Sequence, residues 1–334
     1  MNKNDRISKM TFFEMLEYTS KNNKNAIITV GTLKNGVSSY KIYGENGTLL
    51  PQYQHIYEIG SVTKTFTASL LFKAISEGKI HIDDNIDKYL KLPEKEYYPT
   101  IRRLITHRSG YKNYFFDIKF ILKYYRGINM FSGFSKTQLI EKLGKTNLEN
   151  KDYSFNYSNF GIAVIGLILT EIYGDDYTDL INEYVQKELN LKNTIVSNGS
   201  GDLKKYWNWA NDDAYKPAGA LISTIDNMLE YAKLQMNGSP GYLLDAQKPL
   251  AEINATSYAF AKLNIRMDKI GATWIIDNQN NITWHNGGTG NFNSYLGFDN
   301  EKQIAVVILS NLPPNYRIPA TPMGIKLLID LQNE

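Results

Sequence analysis

The chain has 334 residues, of which 43% are hydrophobic and 21% charged, a composition typical of a globular protein with a substantial core. Its 37 basic and 34 acidic residues leave a net charge of +3 with no basic arm or stripe, which argues against nucleic-acid binding. The lack of cysteine excludes disulfides, thiolate metal sites and cysteine catalysis.

The N-terminus and the apolar segments argue against membrane insertion. Every apolar run is shorter than the roughly 18 residues needed to span a bilayer. Residues 1–18 place charged side chains among apolar ones and lack the uninterrupted apolar stretch of a secretory signal. We therefore expect neither a signal peptide nor a membrane span within this sequence.

The predicted elements begin with a helix at about 11–21 and a hairpin. Two alternating runs, at 26–32 and 38–43, flank Lys34-Asn35-Gly36, and Asn-Gly between such runs is a strong hairpin signal. From Ser61 onwards the apolar spacing is helical, with Gly, Pro and Asn between the segments. The expected helices span about 61–77, 98–107, 136–143, 158–173, 177–188 and 225–237.

After about residue 255 the pattern returns to strands and ends in one helix. The expected strands span 270–277, 281–285, 294–299 and 304–310, and the last helix spans about 320–332. This order predicts an α/β fold of the α+β type, in which an antiparallel sheet flanked by terminal helices carries an inserted all-helical domain. We assign residues 1–60 and 225–334 to the sheet domain and 61–224 to the mainly helical domain.

The segment 114–134 is rich in aromatic residues and lysine. Asp117, Lys119, Lys123 and Arg126 interrupt its apolar character, so we expect a core or surface helix rather than a membrane span. The alternative for this segment is an active-site flap.

The segment YEIGSVTKTFTA at 57–68 combines the end of a strand, a glycine turn and the start of an apolar helix. Ser61 and Lys64 are three residues apart, so they share a helix face with Cβ atoms roughly 5–6 Å apart, and the amine can reach the serine oxygen. The helix N-terminus favours an oxyanion beside Ser61. The segment predicts an activated nucleophile, and the alternative is that Ser61 serves only as a helix N-cap.

Three segments resemble the catalytic boxes of the serine β-lactamase/penicillin-binding-protein superfamily: GSVTK at 60–64, YSN at 157–159 and HNGGTG at 285–290. Their Tyr-x-Asn and His-x-Gly forms are similar to class C β-lactamase-like proteins, DD-carboxypeptidases and related esterases. TIRRLITHRSG at 100–110 and PAGALIST at 217–224 also resemble family hallmarks. The resemblance covers about residues 20–330 and implies a β-lactamase/transpeptidase-like fold with its active site in the cleft between the two domains.

The resemblance implies that Ser61 is the nucleophile and that Lys64 and Tyr157 act together as base and proton donor. Both groups have ordinary pKa values near 10, so each needs an environment that lowers its pKa. Two such groups packed together can provide that environment. Which of them holds the proton at rest stays open, because coupled groups titrate as a unit.

The resemblance assigns five further residues to the oxyanion hole and the substrate site: Asn159, His285, Gly287, Gly288 and Tyr215. Asn159 is expected to hydrogen-bond Lys64 and the substrate amide. The backbone N–H groups of Ser61 and Gly288 are expected to hold the oxyanion. Tyr215 is expected to line the cleft.

His285 departs from the Lys-Thr-Gly form of the third box. Histidine is mostly neutral at neutral pH, so the site should bind a substrate carboxylate weakly or in a pH-dependent way. This argues against efficient β-lactamase activity, and the sequence shows no obvious Glu-x-x-Leu-Asn box for water activation, so hydrolysis of a β-lactam acyl-enzyme should be slow. Penicillin is expected to acylate Ser61 and to turn over poorly. The other histidines, His55, His81 and His107, lack metal-ligand spacing, and His107 is expected to be a structural hydrogen-bonding residue in a turn.

By this resemblance the chain is a serine hydrolase that forms an acyl-enzyme with D-amino-acid peptides, as a DD-carboxypeptidase or endopeptidase, and needs no cofactor. The alternatives are a carboxylesterase or D-aminopeptidase with the same residues, and a noncatalytic penicillin or peptidoglycan sensor. The expected partners are small peptide, ester or β-lactam substrates, and the oligomeric state stays open. Action on peptidoglycan, which the resemblance implies, would place the protein outside the cytoplasmic membrane. The cytoplasm is the alternative, because no export signal is visible in the sequence.

Overall fold

The structure is a computed structural model that describes residues 3–114, 122–123 and 128–334. Most of the segment 114–134, and with it the predicted helix or flap, lies outside these residues. Every other predicted element falls within them.

Within the described residues, nine strands form one antiparallel sheet. They are β1 Ile28–Lys34, β2 Val37–Tyr43, β3 Leu49–Leu50, β7 Ala251–Glu252, β8 Lys269–Ile270, β9 Ile275–Asp277, β10 Ile282–Gly288, β11 Asn293–Asp299 and β12 Ile304–Ser310. Their order across the sheet is β3-β2-β1-β12-β11-β10-β9-β8-β7. A smaller sheet contains β4 Tyr57–Glu58, β5 Ile195–Val196 and β6 Leu221–Ser223, in the order β4-β6-β5.

Twelve α-helices lie within the same residues. They are α1 Lys3–Ile7, α2 Phe12–Ser20, α3 Thr63–Ser76, α4 Ile101–Ile105, α5 Lys136–Lys145, α6 Asn159–Tyr173, α7 Tyr177–Glu183, α8 Lys216–Gly219, α9 Ile225–Asn237, α10 Tyr242–Gln247, α11 Tyr258–Ala261 and α12 Ala320–Gln332. In the part of the chain that the structure describes, none of them has the length and apolar character that a bilayer crossing requires.

The hairpin between β1 and β2 is confirmed. Lys34 pairs with Val37, which leaves a two-residue loop of Asn35 and Gly36. Both loop residues have positive φ, 54° and 79°, as the type I′ turn demands. Asn-Gly satisfies this demand because Gly has no Cβ and Asn tolerates the left-handed region.

The prediction of one continuous strand at 270–277 is wrong. The structure has two short strands, β8 and β9, separated by a turn. Thr273 has a φ of 64°, and its N–H donates to the carbonyl oxygen of Ile105 rather than to a neighbouring strand. The apolar run continues through this turn because Ala272 and Trp274 are buried, so apolar character alone does not reveal the break.

β12 shows that the large sheet is covered on both faces. Ala305, Val307 and Leu309 pack into a core that includes side chains of α3, α6 and α9. The alternate residues Val306 and Ile308 pack into a second core with α2 and α12. The predicted antiparallel sheet with flanking terminal helices is therefore confirmed.

Candidate active site

Ser61 lies where β4 turns into α3. Gly60 takes a φ of 50°, and a 3₁₀ turn over Gly60–Val62 leads directly into the helix. The N-cap of α3 is Val62, whose side chain makes no capping hydrogen bond. The alternative in which Ser61 is only an N-cap is therefore wrong. Its side chain is partly exposed.

Lys64 occupies the first turn of α3 and is fully buried. Its Nζ lies 3.0 Å from Ser61 Oγ and donates a hydrogen bond of 2.5 Å to the carbonyl oxygen of Ala218. Burial lowers the pKa of the Lys64 amine well below its ordinary value of 10.5. A neutral amine beside a serine hydroxyl can accept its proton.

Tyr157 is the third member of this group. Its ring centroid lies 5.0 Å from Lys64 Nζ, and the residue is partly buried, with its hydroxyl oxygen shielded from solvent. The Tyr157 hydroxyl makes no hydrogen bond of good geometry in the described part of the chain. Burial raises its pKa above the ordinary value, and the nearby Ser61 side chain partly opposes that rise. Ser61, Lys64 and Tyr157, which the sequence assigned to one site, therefore lie together.

Tyr157 precedes α6, and local contacts hold the start of that helix. Ser158 is the N-cap, and its side chain accepts from Gly161 N–H. Its backbone N–H donates to His107 Nδ1 at 3.2 Å, so the neutral ring carries its proton on Nε2. Burial, with Lys64 and His285 nearby, holds the His107 pKa well below its ordinary value. The prediction that His107 is a structural hydrogen-bonding residue is confirmed.

β10 brings His285 and two glycines to the same site. His285 is buried, and its Nδ1 donates to the carbonyl oxygen of Asn286 at 2.6 Å. Burial is the main cause that lowers the pKa of His285 to about 3, and Lys64 adds to it when the amine is protonated, so the imidazole is neutral at neutral pH. A Cβ on Gly287 would lie 1.9 Å from the Ile59 carbonyl oxygen. Only glycine therefore lets β10 approach the backbone beside Ser61.

Within the described residues, Asn159 makes no hydrogen bond to Lys64, which is a correction to what the resemblance implied. Its side-chain amide donates to Asn113 Oδ1 at 2.8 Å, and its backbone N–H donates to the same oxygen at 3.0 Å. Asn159 is the first residue of α6, where backbone N–H groups lack helical partners. Its side chain and backbone share the acceptor on Asn113, so the amide nitrogen is engaged there.

Tyr215 also differs from its expected position. It is 2% exposed, and its ring lies 4.8 Å from the Phe131 ring and 5.1 Å from the Phe134 ring. It does not line the cavity beside Ser61. Tyr215 is instead the residue before α8, the short helix whose Ala218 carbonyl oxygen binds Lys64.

Glu58 is a site residue that sequence reasoning missed. Its carboxylate accepts a hydrogen bond of 2.5 Å from the Thr289 hydroxyl and another from the Trp207 backbone N–H. Burial raises the pKa of Glu58 to about 7. The carboxyl group thus links the strand before Ser61 to the end of the third box. The sequence feature that could have identified Glu58 is an acidic residue between the apolar residues Tyr57 and Ile59 at the end of a strand.

A cavity of about 620 Å³ opens beside Ser61 and reaches Tyr157, His285, Gly287 and Gly288. The rest of its lining is mostly apolar and includes Ile7, Phe155, Phe260, Leu263, Ile265, Met267, Ile275 and Trp284. Within residues 3–114, 122–123 and 128–334, no three carboxylate or imidazole groups converge as a metal site would need. The arrangement suits acyl transfer to a serine, with the substrate in this cavity.

The chain has relatives among known proteins. The family model described as Beta-lactamase matches residues 29–322. Protein flp of Staphylococcus aureus (strain MW2) is 23% identical over 290 residues, which are 78% of this chain and 53% of that protein. The chain thus spans about half the length of the curated relatives it matches.

Two solved structures have the same fold over almost the whole chain. A beta-lactamase/D-alanine carboxypeptidase from Yersinia pestis, complexed with citrate, superposes with a TM-score of 0.72 at 17% identity and covers 99% of both chains. A D-stereospecific amidohydrolase from Streptomyces sp. also gives 0.72, at 19% identity, over 95% of this chain and 97% of that one. These likenesses show a shared fold, and the family match over residues 29–322 shows that the chain belongs to the beta-lactamase family.

Proposed function

We propose that this protein is a serine hydrolase that cleaves an uncharged ester or amide through an acyl ester on Ser61. The observation that carries the proposal is the buried Lys64 amine, 3.0 Å from Ser61 Oγ. Because burial lowers its pKa, the amine has a free lone pair at a pH where an exposed lysine would be protonated. It is therefore suited to act as the base.

In the proposed acylation step, Ser61 Oγ attacks the substrate carbonyl carbon and its proton moves to Lys64 Nζ. The backbone N–H groups of Ser61 and Gly288 stabilise the oxyanion, an effect typically worth about 3–4 kcal/mol per donor. The carbonyl–leaving-group bond then breaks. The proton passes from Lys64 through the Tyr157 hydroxyl to the leaving group, which departs as an alcohol or amine.

Deacylation reverses the proton path. Water loses a proton to the Tyr157–Lys64 pair and attacks the carbonyl carbon of the Ser61 ester. The ester bond to Oγ breaks, and Ser61 regains a proton from the same pair. The net reaction consumes one water and releases a carboxylic acid, so no co-reactant is needed.

The charge of the site favours uncharged substrates. His285 is neutral at neutral pH because its pKa is about 3, so it offers no cation to a substrate carboxylate. A DD-carboxypeptidase acts on peptides that end in a carboxylate. This activity is our second candidate, and its support is the fold shared with proteins named as a D-alanine carboxypeptidase and a D-stereospecific amidohydrolase.

The test combines labelling with turnover. A fluorescent penicillin and p-nitrophenyl acetate are offered to the wild-type chain and to Ser61→Ala, and hydrolysis of a D-Ala-D-Ala peptide is measured in parallel. We expect a label and ester turnover that both disappear in Ser61→Ala, and little release of D-Ala. Preferred release of D-Ala would support the second candidate. A stable label without turnover of either substrate would support a sensor, and a label that survives Ser61→Ala would overturn the nucleophile.

A further inference from the structure

The cavity beside Ser61 is far larger than the reacting groups need. Its volume of about 620 Å³ lies in the range of pockets that enclose a whole small-molecule ligand. Ser61, Tyr157 and His285 line it beside the reacting groups. The remaining walls are mostly apolar, with Ile275 and Trp284 among them, so the cavity can bury an apolar group of considerable size. The same walls also include the polar side chains of Asn4, Asn286, Asn293, Thr321 and Arg317.

Two short helices close the outer wall of this cavity. Asn4 and Ile7 come from α1, and Ala259 and Phe260 come from α11. An ion pair between Lys262 and Asp5 joins the two segments. Phe260 is 41% exposed, which places it at the rim, where an entering substrate would meet it.

The cavity offers little to a charged group. Among its described lining residues, Arg317 is the single charged side chain at neutral pH, since His285 is neutral. One guanidinium nitrogen of Arg317 already donates to the backbone carbonyl oxygens of Tyr18 and Lys21, at 2.8 and 2.7 Å. A substrate carboxylate in this space would leave water for surroundings that are mainly apolar, which is unfavourable.

We propose that this cavity binds the leaving group of the substrate, and that the leaving group is an uncharged apolar alcohol or amine. The inference rests on the proposed function, in which Tyr157 hands a proton to the leaving group. Tyr157 lines the cavity beside Ser61, whereas Lys64 and Asn159 do not. Because Tyr157 is the proposed proton donor to the leaving group, we assign the space beside it to that group.

Acetate esters of a series of alcohols test this assignment, because they all give the same acetyl-Ser61. Differences in kcat/KM then report only the fit of the alcohol. We expect kcat/KM to rise roughly three- to four-fold for each methylene from ethyl to hexyl acetate, as apolar surface is buried. A flat series, or a rise with acyl length in the ethyl esters of acetic to hexanoic acid instead, would overturn the proposal.

Phe260→Asp and Tyr258→Asp form a matched pair of variants. Both place a carboxylate on α11, but Phe260 lines the cavity whereas Tyr258 is 79% exposed and does not line it. Phe260→Asp is expected to lower the hexyl-to-ethyl ratio of kcat/KM about ten-fold, and Tyr258→Asp should leave it unchanged. Equal ratios in the two variants would contradict the assignment.

Two controls separate this inference from the proposed function. If the wild-type chain neither hydrolyses the esters nor becomes labelled at Ser61, the proposed hydrolase activity is rejected. Normal labelling with a flat alcohol series would reject only the leaving-group pocket.

The second control compares the acetyl ester of D-lactate, whose leaving group carries a carboxylate, with isobutyl acetate. We expect the uncharged ester to react faster, and a preference for the lactate ester would assign Arg317 to a leaving-group carboxylate and overturn the proposal.

Discussion

His107 binds the backbone on both sides of Tyr157. Its carbonyl oxygen accepts the N–H of Asn156 at 2.9 Å, and its ring Nδ1 accepts the N–H of Ser158 at 3.2 Å. The rings of His107 and Tyr157 lie 4.7 Å apart. His107 itself has a φ of 57°, which turns its carbonyl and its ring towards the same segment. It is therefore a positioning residue for the Tyr157 hydroxyl.

His107→Leu should lower kcat about 10- to 100-fold with little change in KM, because a small displacement of Tyr157 disturbs proton transfer more than substrate binding. It also leaves the buried Ser158 N–H without an acceptor, which costs about 1–3 kcal/mol of folding free energy. His107→Asn should recover much of kcat, since asparagine tolerates positive φ and supplies an acceptor oxygen. Steady-state kinetics and urea unfolding of both variants check this. Equal kcat for the two variants would contradict the positioning role.

Lys64→Met should make the protein more stable but inactive. As pH falls below 10.5, the unfolded chain protonates Lys64 while the folded protein, whose Lys64 pKa is lowered, does not, so the buried amine reduces stability at neutral pH. Methionine removes this penalty, and we expect a gain of about 1–2 kcal/mol with a fall in kcat/KM of about 10²–10⁴-fold. Denaturant unfolding at pH 7 and 10.5 provides the check. The gain should shrink at the higher pH, and a destabilised variant at pH 7 would refute the prediction.

Glu58 should make stability fall as pH rises between 4.5 and 7. Below pH 4.5 the carboxyl group is protonated in both states, and above it the unfolded chain ionises while the folded protein keeps its proton up to about pH 7. The shift corresponds to roughly 3 kcal/mol. Glu58→Gln imitates the protonated acid and does not titrate, so its free energy of unfolding should not fall from this cause. As pH rises from 4.5 to 7, the variant should therefore become more stable relative to the wild type. The contributions of His107 and His285 are common to both proteins and cancel in the comparison. If the two curves of unfolding free energy against pH are parallel, Glu58 is not the cause of the fall in stability.

Gly287→Ala should disrupt the site by displacing the backbone of β10. The added Cβ would lie 1.9 Å from the Ile59 carbonyl oxygen, so β10 must move away from Ser61. We expect a loss of about 1–3 kcal/mol in stability together with most of the activity. Gly241→Ala is the control, since a Cβ there meets nothing within 4 Å. Thermal unfolding and ester turnover are measured for both variants. If Gly287→Ala is as stable and as active as Gly241→Ala, β10 tolerates the added Cβ and the prediction is wrong.

Penicillin should acylate Ser61, and the acyl-enzyme should be hydrolysed slowly because the sequence shows no obvious Glu-x-x-Leu-Asn box to activate the water. A neutral His285 gives the penicillin carboxylate no cation, so the β-lactam is held less firmly than by a lysine at that position. Intact-mass measurements over time should show an adduct that outlasts the mixing time, and nitrocefin should be hydrolysed slowly. Rapid nitrocefin turnover would disprove this prediction.

The sequence by itself determined the features that depend on near neighbours along the chain. Ser61 and Lys64 share one helical turn, so their spacing predicted the 3.0 Å contact. The Asn35-Gly36 hairpin and the helix Ile225–Asn237 follow from local turn chemistry and apolar periodicity in the same way. Five ordered segments that resemble the family indicated it from the sequence, and the match over residues 29–322 confirms it.

Tertiary structure decided what depends on groups brought from distant parts of the chain. The lowered pKa of Lys64 comes from burial by other elements, and its hydrogen bond to the Ala218 carbonyl comes from a separate short helix. Asn159 bonds to Asn113 instead of Lys64, and Glu58 reaches Thr289 from a different sheet. The apolar cavity depends on helices of five and four residues, too short to leave a periodic signal. Burial and long-range contact set the chemistry here, and neither is encoded in local spacing.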